Sequence, residues 1–180
     1  SYPLGRIPPP YRNRLFQQEN INGVRVIRVW SLISPNRSAF RRALHQATYC
    51  LSAFIGGLFS PPADIVFSYS PPLPLGVSAW LVAISKHAPW ILQLEDIFPD
   101  AAISAGLLKK GLTLSFLHWL ESFLYRHAER ISVISAGFKK NLMEKGVPHE
   151  KIGIIPVWAD TELIKPLPGD NEFTRRNGLE

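Results

Sequence analysis

The stretch that decides the fold is residues 90–100, which read Trp-Ile-Leu-Gln-Leu-Glu-Asp-Ile-Phe-Pro-Asp. Its first five residues form a short apolar run after Pro89, which predicts a strand buried on both faces. The strand leads directly into a loop that carries Glu95, Asp96 and Asp100. Ligands of parallel sheets bind beyond the carboxyl ends of the strands, so this loop is the first candidate site.

Strands and helices alternate on both sides of this stretch. Apolar runs and helical spacings predict, in chain order, a strand at 24–30, a helix at 38–59, a strand at 63–69, a helix at 75–86, a helix at 112–129, a strand at 131–134, a helix from 135 to 145 and a strand at 152–155. This order predicts an α/β fold for residues 1–164, a Rossmann-like parallel sheet with helices on both faces. Residues 1–22 are expected to be an irregular connection, and residues 165–180 a linker.

Composition and charge limit the classes of protein and of partner that the chain can represent. The chain has 180 residues, 46% hydrophobic and 19% charged, which is typical of a globular domain and excludes disorder. Its net charge of +6 favours anionic partners such as phosphorylated substrates and lipid headgroups. Nucleic acid is not an expected partner, because the arginines are dispersed and no recognition motif is present. A single cysteine, Cys50, excludes an internal disulfide and fits a reducing, cytoplasmic compartment.

The helix at 38–59 allows two interpretations. Its least polar part, residues 47–59, is too short to span a membrane, and Arg41 and Arg42 precede it. The helix is either buried in the fold or lies in a lipid interface with both arginines on the headgroups.

Two further loops are expected at the same sheet edge as residues 95–100. Tyr69, Ser70 and Pro71 form a rigid turn after a strand, which is either one wall of an acceptor pocket or only a stiff connection. Ser135, Gly137 and Phe138 follow another strand and open a helix, whose free N–H groups and dipole favour an anion. An ordinary strand-to-helix turn is the alternative there.

The carboxylates of the first loop are the strongest candidates for a catalytic role. A carboxylate in a cleft acts as a general base or stabilises a developing cation such as an oxocarbenium ion. The alternative is that Asp96 or Asp100 only caps the next helix. No metal is expected, because hard cations require several oxygen ligands and no second acidic cluster is evident.

Four stretches in this order resemble the bacterial family-four, or group 1, glycosyltransferases. They are residues 2–7 followed by 22–26, residues 64–73, residues 96–107, and residues 131–138 followed by 142–160. The chain is most similar to the subgroup that builds capsule, colanic-acid and O-antigen sugars on lipid carriers.

The resemblance implies a GT-B fold of two facing Rossmann-like domains, of which this chain is the N-terminal, acceptor-side half. It implies transfer from a nucleotide-sugar to a lipid-linked saccharide with retention of anomeric configuration, no metal or other cofactor, and a location at the inner face of the plasma membrane. Asp96 is the best match to the family residue near the reacting centre, with Glu95 beside it.

Two departures from the family pattern limit what this chain is expected to do alone. The first strand with its Gly-rich loop, and the nucleotide-sugar-binding half expected after Glu180, are both absent from this sequence. A smaller departure is Val157, where relatives often have Asn. The rivals are a sugar-nucleotide epimerase of the same architecture and a non-catalytic membrane-associating module anchored by residues 38–60.

Overall fold

A computed structural model describes residues 7, 9, 11–33, 38–106, 111–166, 169 and 171–178 of the chain. Its elements are β1 (Phe16–Ile21), β2 (Val24–Val29), α1 (Ala39–Leu58), β3 (Val66–Ser70), α2 (Leu75–Lys86), β4 (Trp90–Leu94), α3 (Asp100–Ser104), α4 (Leu112–His127), β5 (Arg130–Val133), α5 (Ala136–Glu144), a 3-10 turn (His149–Lys151), β6 (Ile152–Ile154) and α6 (Glu172–Asn177).

The centre of the fold is a parallel sheet of four strands in the order β3-β4-β5-β6. In register, Ser68 lies opposite Leu92, and Leu92 opposite Ile131. Helices connect the strands and flank the sheet, because parallel neighbours require a crossover between them. The α/β class and the Rossmann-like parallel sheet predicted from the sequence are therefore confirmed.

The hydrophobic core lies between one face of the sheet and the helices α2, α4 and α5. Alternate strand residues point into it because side chains of a strand alternate between its faces. The buried members include Trp90, Leu92, Leu94, Ile131, Val133 and Ile152 from the strands and Ala79, Ala83, Leu120, Leu124 and Leu142 from the helices. A Cβ on Gly76 would lie 2.8 Å from a methyl of Leu124, so glycine allows α2 to approach α4 closely.

Strand β3 differs from its predicted character. The run at 63–69 predicts a buried strand, but burial alternates along β3: Ser68 and Ser70 are buried, whereas Phe67 and Tyr69 are exposed. The reason is that β3 is the edge strand of the described sheet, and α2 covers the face to which the two serines point.

The structure corrects the prediction for residues 1–22. Residues 16–21 form β1, which pairs antiparallel with β2 in a separate hairpin, while residues 1–6, 8 and 10 lie outside the described residues. The hairpin turns at Asn22 and Gly23, both with positive φ, which is the conformation that Asn-Gly favours in two-residue turns. The strand was not predicted because residues 17–20 are all polar, although the Asn-Gly sequence that follows is typical of a hairpin turn.

Helix α1 packs against α2 and β2. Ser38 caps its start, accepting a hydrogen bond from the N–H of Arg41 at 3.3 Å. A Cβ on Gly57 would lie 2.5 Å from a methyl of Val82, so close packing of α1 on α2 requires a residue without a side chain there. Within the described residues, no helix is long and apolar enough to cross a bilayer.

The predicted loop and linker each contain a short helix. Asp100 is the first residue of α3, directly after the loop at 95–100. In the segment 165–180, Asn171 caps α6 with a capping box completed by Thr174. Local capping signals of this kind form short helices that have too few apolar positions to show a hydrophobic period.

The burial of Cys50 yields a first prediction. Burial raises the pKa of its thiol from 9.0 to about 11. Roughly a hundredfold less thiolate is then present at pH 8, so alkylation by iodoacetamide should be slower in the folded protein than in urea by at least that factor. The thiol ionises at a lower pH in the unfolded protein than in the folded one. The free energy of unfolding should therefore fall as the pH rises from about 9 to 11. Equal alkylation rates in both states would contradict this assignment.

Candidate active site

The carboxyl edge of the sheet brings the three predicted loops together. The N–H of Glu95 donates to the carbonyl of Ser70 at 3.1 Å, and the N–H of Ile155 donates to the carbonyl of Val133 at 2.9 Å. These bonds extend the strand pairing by one residue at this edge. Because β4 lies between β3 and β5, Glu95 and Asp96 lie between the other two loops.

Asp96 lies close to the hydrophobic core. The residue is half-buried and lies between Leu94 and Ile97, both of which belong to the hydrophobic core. Its neighbour Glu95 is exposed, and neither carboxylate forms an ion pair with a described residue. Two carboxylates that pair with no cationic side chain of the described residues therefore lie at the centre of the edge where parallel sheets bind ligands.

Asp100 has a structural partner. Its carboxylate forms an ion pair with Lys145 at 2.8 Å and accepts a hydrogen bond from the amide of Asn141 at 3.4 Å. Asp100 thereby ties the end of the candidate loop to α5. The N-cap of α3 is Pro99, without a side-chain capping bond, so neither Asp96 nor Asp100 acts as a helix cap. A contact of Asp100 with substrate stays a prediction.

The turn predicted at Tyr69, Ser70 and Pro71 is wrong for its first two residues, which belong to β3 and lie on opposite faces of the sheet. Ser70 is 1% exposed, and its Oγ has no hydrogen-bond partner among the described residues. Tyr69 points to the opposite face, where its ring packs edge-on against Phe67 at 5.3 Å. Pro71 is exposed and follows a cis peptide bond. Tyr69 and Ser70 therefore belong to different surfaces of the sheet.

The loop after β5 is a capped helix start. Ser135 accepts a hydrogen bond from the N–H of Phe138 at 3.3 Å, while the Phe138 ring packs against the core. A Cβ on Gly137 would meet nothing closer than the Ser135 Oγ at 3.8 Å, so the approach to this first turn is open. The N–H groups of a first helical turn have no partner within the helix and can bind an anion.

Arg41 and Arg42 lie near the same end of the molecule. Ser78 contacts the Cys50 carbonyl, and Lys86 contacts the Leu58 carbonyl, so α1 runs in the same direction as α2. At 1.5 Å per residue, Arg41 lies about 13 Å beyond Cys50 along the helix axis. The first turns of α1 therefore project past the start of α2, which itself follows the carboxyl end of β3.

A polar row crosses the sheet face opposite the core. Tyr69, Gln93 and Ser132 are in register on β3, β4 and β5. Gln93 and Ser132 are buried, and Gln93 Oε1 and Ser132 Oγ have no hydrogen-bond partner among the described residues. Sequence reasoning did not single out this pair, although both residues interrupt apolar strand runs.

Sequence reasoning also missed a buried charge network on α4. Glu121 is nearly fully buried and accepts hydrogen bonds from the Tyr125 hydroxyl at 3.0 Å and from Lys145 Nζ at 2.5 Å. Since Lys145 also pairs with Asp100, one ammonium joins α4, α5 and the candidate loop. Burial raises the pKa of Tyr125, and the carboxylate of Glu121 raises it further. The sequence feature that could have revealed the network is Glu121, an acidic residue next to the apolar stripe of Leu117, Leu120 and Leu124.

This network adjoins a cavity of about 630 Å³ between α4 and the turn after α5, with His118 and Tyr125 among its lining residues. Ligand atoms of Asp100, His118 and Glu121 lie within 4.8 Å of one another, an arrangement that could hold a metal ion and that the sequence did not predict. The Lys145 ammonium already contacts both carboxylates. A cation is thus built into the cluster, and a metal would have to displace it.

Comparisons with known proteins bear directly on this α/β domain. Residues 6–158 match the family model described as the glycosyl transferase 4-like domain. The chain belongs to this glycosyl transferase 4-like family. A relative from Pseudomonas aeruginosa, named "Probable glycosyltransferase WbjE", is 29% identical over 109 residues, which cover 60% of this chain and 27% of that relative. The match thus spans about a quarter of the relative's length.

The family match covers all the sheet strands and every predicted site residue of the glycosyl transferase 4-like domain. The predicted membership among group 1 glycosyltransferases is confirmed at the level of the family. The candidate loops at 69–73, 95–100 and 135–138 all fall inside the matched residues.

The charge network of the domain yields a second prediction. Lys145→Met should destabilise the protein by about 3 kcal/mol, because it leaves the Glu121 carboxylate buried without its cation. The double variant Glu121→Gln/Lys145→Met should recover much of this loss, because the buried group is then neutral. Urea unfolding measures both.

Lys140→Met is the matched control. Lys140 pairs with Glu144 at 3.9 Å on the exposed side of α5, so its loss should change stability by less than about 0.5 kcal/mol. A Lys145→Met variant as stable as this control would show that the network contributes no net stability.

Proposed function

We propose that the chain is the acceptor-side half of a retaining glycosyltransferase, which moves a sugar from a nucleotide-sugar to a lipid-linked saccharide in cell-surface polysaccharide synthesis. The family match supports the transferase class. The observation that carries the proposal is the position of Asp96, a half-buried carboxylate at the centre of the carboxyl edge that has no ion-pair partner among the described residues.

The chemistry of glycosyl transfer suits a carboxylate at this place. As the nucleotide diphosphate leaves, positive charge develops on the anomeric carbon and the ring oxygen of the sugar. Asp96 would stabilise that charge or orient the attacking acceptor hydroxyl, with Glu95 beside it. The helix start at Ser135, Gly137 and Phe138 faces the same edge and would stabilise a negative group of a substrate.

The acceptor proposal rests on α1. No acidic residue lies in this helix. Its exposed apolar side chains recur on one stripe along the helix: Phe40, Leu44, Leu51, Ile55 and Leu58. Arg41 and Arg42 are exposed in its first turn. An apolar stripe on a helix whose first turn carries two exposed cations suits a lipid carrier whose diphosphate lies at a membrane surface.

The rivals differ in their products. A sugar-nucleotide epimerase would yield an isomeric nucleotide-sugar and no free nucleotide, and a non-catalytic membrane module would yield neither. The proposed transferase releases free nucleotide only when acceptor is present.

A third prediction tests Asp96 in the full-length enzyme. Asp96→Asn should lower kcat by about 10²- to 10⁴-fold, because it removes the negative charge and the basic oxygen at the reacting edge. Asp64→Asn is the control, since Asp64 is exposed and precedes the amino end of β3. The measurement is the rate of free-nucleotide release with acceptor. Unchanged turnover in Asp96→Asn would remove this residue from the mechanism.

A fourth prediction concerns the arginines of α1. Arg41→Glu/Arg42→Glu should raise KM for a diphosphate-linked lipid acceptor by at least about tenfold and leave kcat nearly unchanged, because two attractive charges become repulsive. Arg14→Glu/Arg25→Glu is the control, because both arginines are exposed, Arg14 before β1 and Arg25 in β2, and the change in net charge is the same. An equal effect of the two double variants would point to net charge rather than to a site on α1.

A further inference from the structure

Helix α4 carries a row of aromatic side chains, Phe116, Trp119, Phe123 and His127, whose spacing of three and four residues places them on one side of the helix. Phe116 is 57% exposed and Trp119 is 59% exposed, and Leu112 continues the row at 91%. The glycosyltransferase chemistry proposed above makes no use of this surface, hereafter the aromatic row.

The rings support one another. Phe116 stacks on Trp119, and Trp119 on Phe123, each at 5.7 Å between centroids with planes inclined by 27°. Trp80 of α2 packs edge-on against Phe123 at 5.0 Å. The row is therefore a preformed surface anchored to α2, whose half-exposed rings lose little side-chain entropy when they bind a partner.

From this geometry we infer that the aromatic row is a membrane contact, inserted at the boundary between headgroups and acyl chains of an anionic bilayer. It rests on the proposed function only in that a lipid-linked acceptor requires a membrane nearby. Amphipathic rings favour this boundary, and a helix with one exposed aromatic side is typical of interfacial binding.

The arrangement of the rings favours lipid over a sugar chain. Sugars pack against the open faces of aromatic rings, but Trp119 is stacked between Phe116 and Phe123, which lie one helical turn before and after it. Contact with acyl chains requires no open ring face.

The charges on α4 favour an anionic lipid surface. The one acidic residue of α4 is Glu121, which is buried, whereas Arg126 at the end of the helix is exposed. The aromatic row thus ends beside a cation and has no exposed carboxylate on its own helix. Such a surface complements anionic headgroups.

Two neighbouring helices extend the apolar surface. Helix α2 contacts both α1 and α4 and exposes Ile84. The apolar stripe of α1 lies on the other side of α2, with Arg41 and Arg42 at its start. One bilayer contact can therefore draw on more than one helix, which gives binding that a single short stripe does not sustain.

The test is co-sedimentation of the full-length protein with vesicles of phosphatidylglycerol and phosphatidylcholine, without any sugar substrate. Phe116→Ser/Trp119→Ser should weaken vesicle binding by roughly ten- to a hundredfold, because two rings no longer leave water. Trp119→Phe should bind nearly as the unsubstituted protein does. Trp158→Ser is the matched control, since Trp158 is 84% exposed and lies outside the row.

A second measurement locates the contact. Vesicles with brominated acyl chains should quench the tryptophan emission of the unsubstituted protein more than that of Trp119→Phe. Thermal melts check that the double-serine variant remains folded; if it does not, Trp119→Lys alone is measured in its place.

Three results would overturn the inference. The protein does not bind vesicles; or binding is lost with Leu51→Ser/Ile55→Ser on α1 but not with the row variants; or sedimentation shows a dimer that Trp119→Ser dissociates, which makes the row an interface between copies. Because no sugar enters the assay, each of these results is independent of whether the Asp96 variant loses transferase activity.

Discussion

The parallel pairing of β4 with β3 on one side and β5 on the other is the constraint on which the candidate site depends. Parallel strands point their carboxyl ends to one edge, so loops far apart in the chain meet there. The pairing continues into the loops through the bond from Glu95 to Ser70. The pairing fixes Asp96 between Ser70, at the end of β3, and the helix start capped by Ser135. The pairing itself is stabilised by Leu92, which is fully buried at the centre of the core.

A second layer of order comes from one lysine. Lys145 neutralises the buried Glu121 and also holds Asp100, so helix packing and loop position share a single charge. A buried carboxylate without a cation is costly, and this cost favours the arrangement in which α3, α4 and α5 converge. The candidate loop is therefore held at both ends, by β4 before it and by Asp100 after it. A rigid loop suits the role proposed for Asp96, which requires a carboxylate in a fixed position against the transition state.

The outer surface has a different character from the cleft. Exposed rings on α4 and exposed aliphatic side chains on α1 lie on helices that both contact α2, while acidic residues are absent from α1 and buried on α4. A polar crevice beside a basic, apolar flank is the arrangement on which the proposal of a lipid-linked acceptor rests. The two surfaces meet near the start of α1, where Arg41 and Arg42 lie.

The amino-acid sequence by itself determined the α/β class, the longer helices and the strands from 24 to 155, and the places of the three candidate loops, but not the short helix α3. Apolar periodicity and capping residues such as Ser38 and Ser135 are local, and local signals suffice for elements and their ends. Only the tertiary structure decided that Glu121 is buried, that Tyr69 and Ser70 face opposite sides, and that β3 is exposed on one face. These properties depend on which element packs on which, and that depends on contacts between residues far apart in the chain, such as Lys145 with Asp100. A one-dimensional pattern records spacing within an element but not the partner across it.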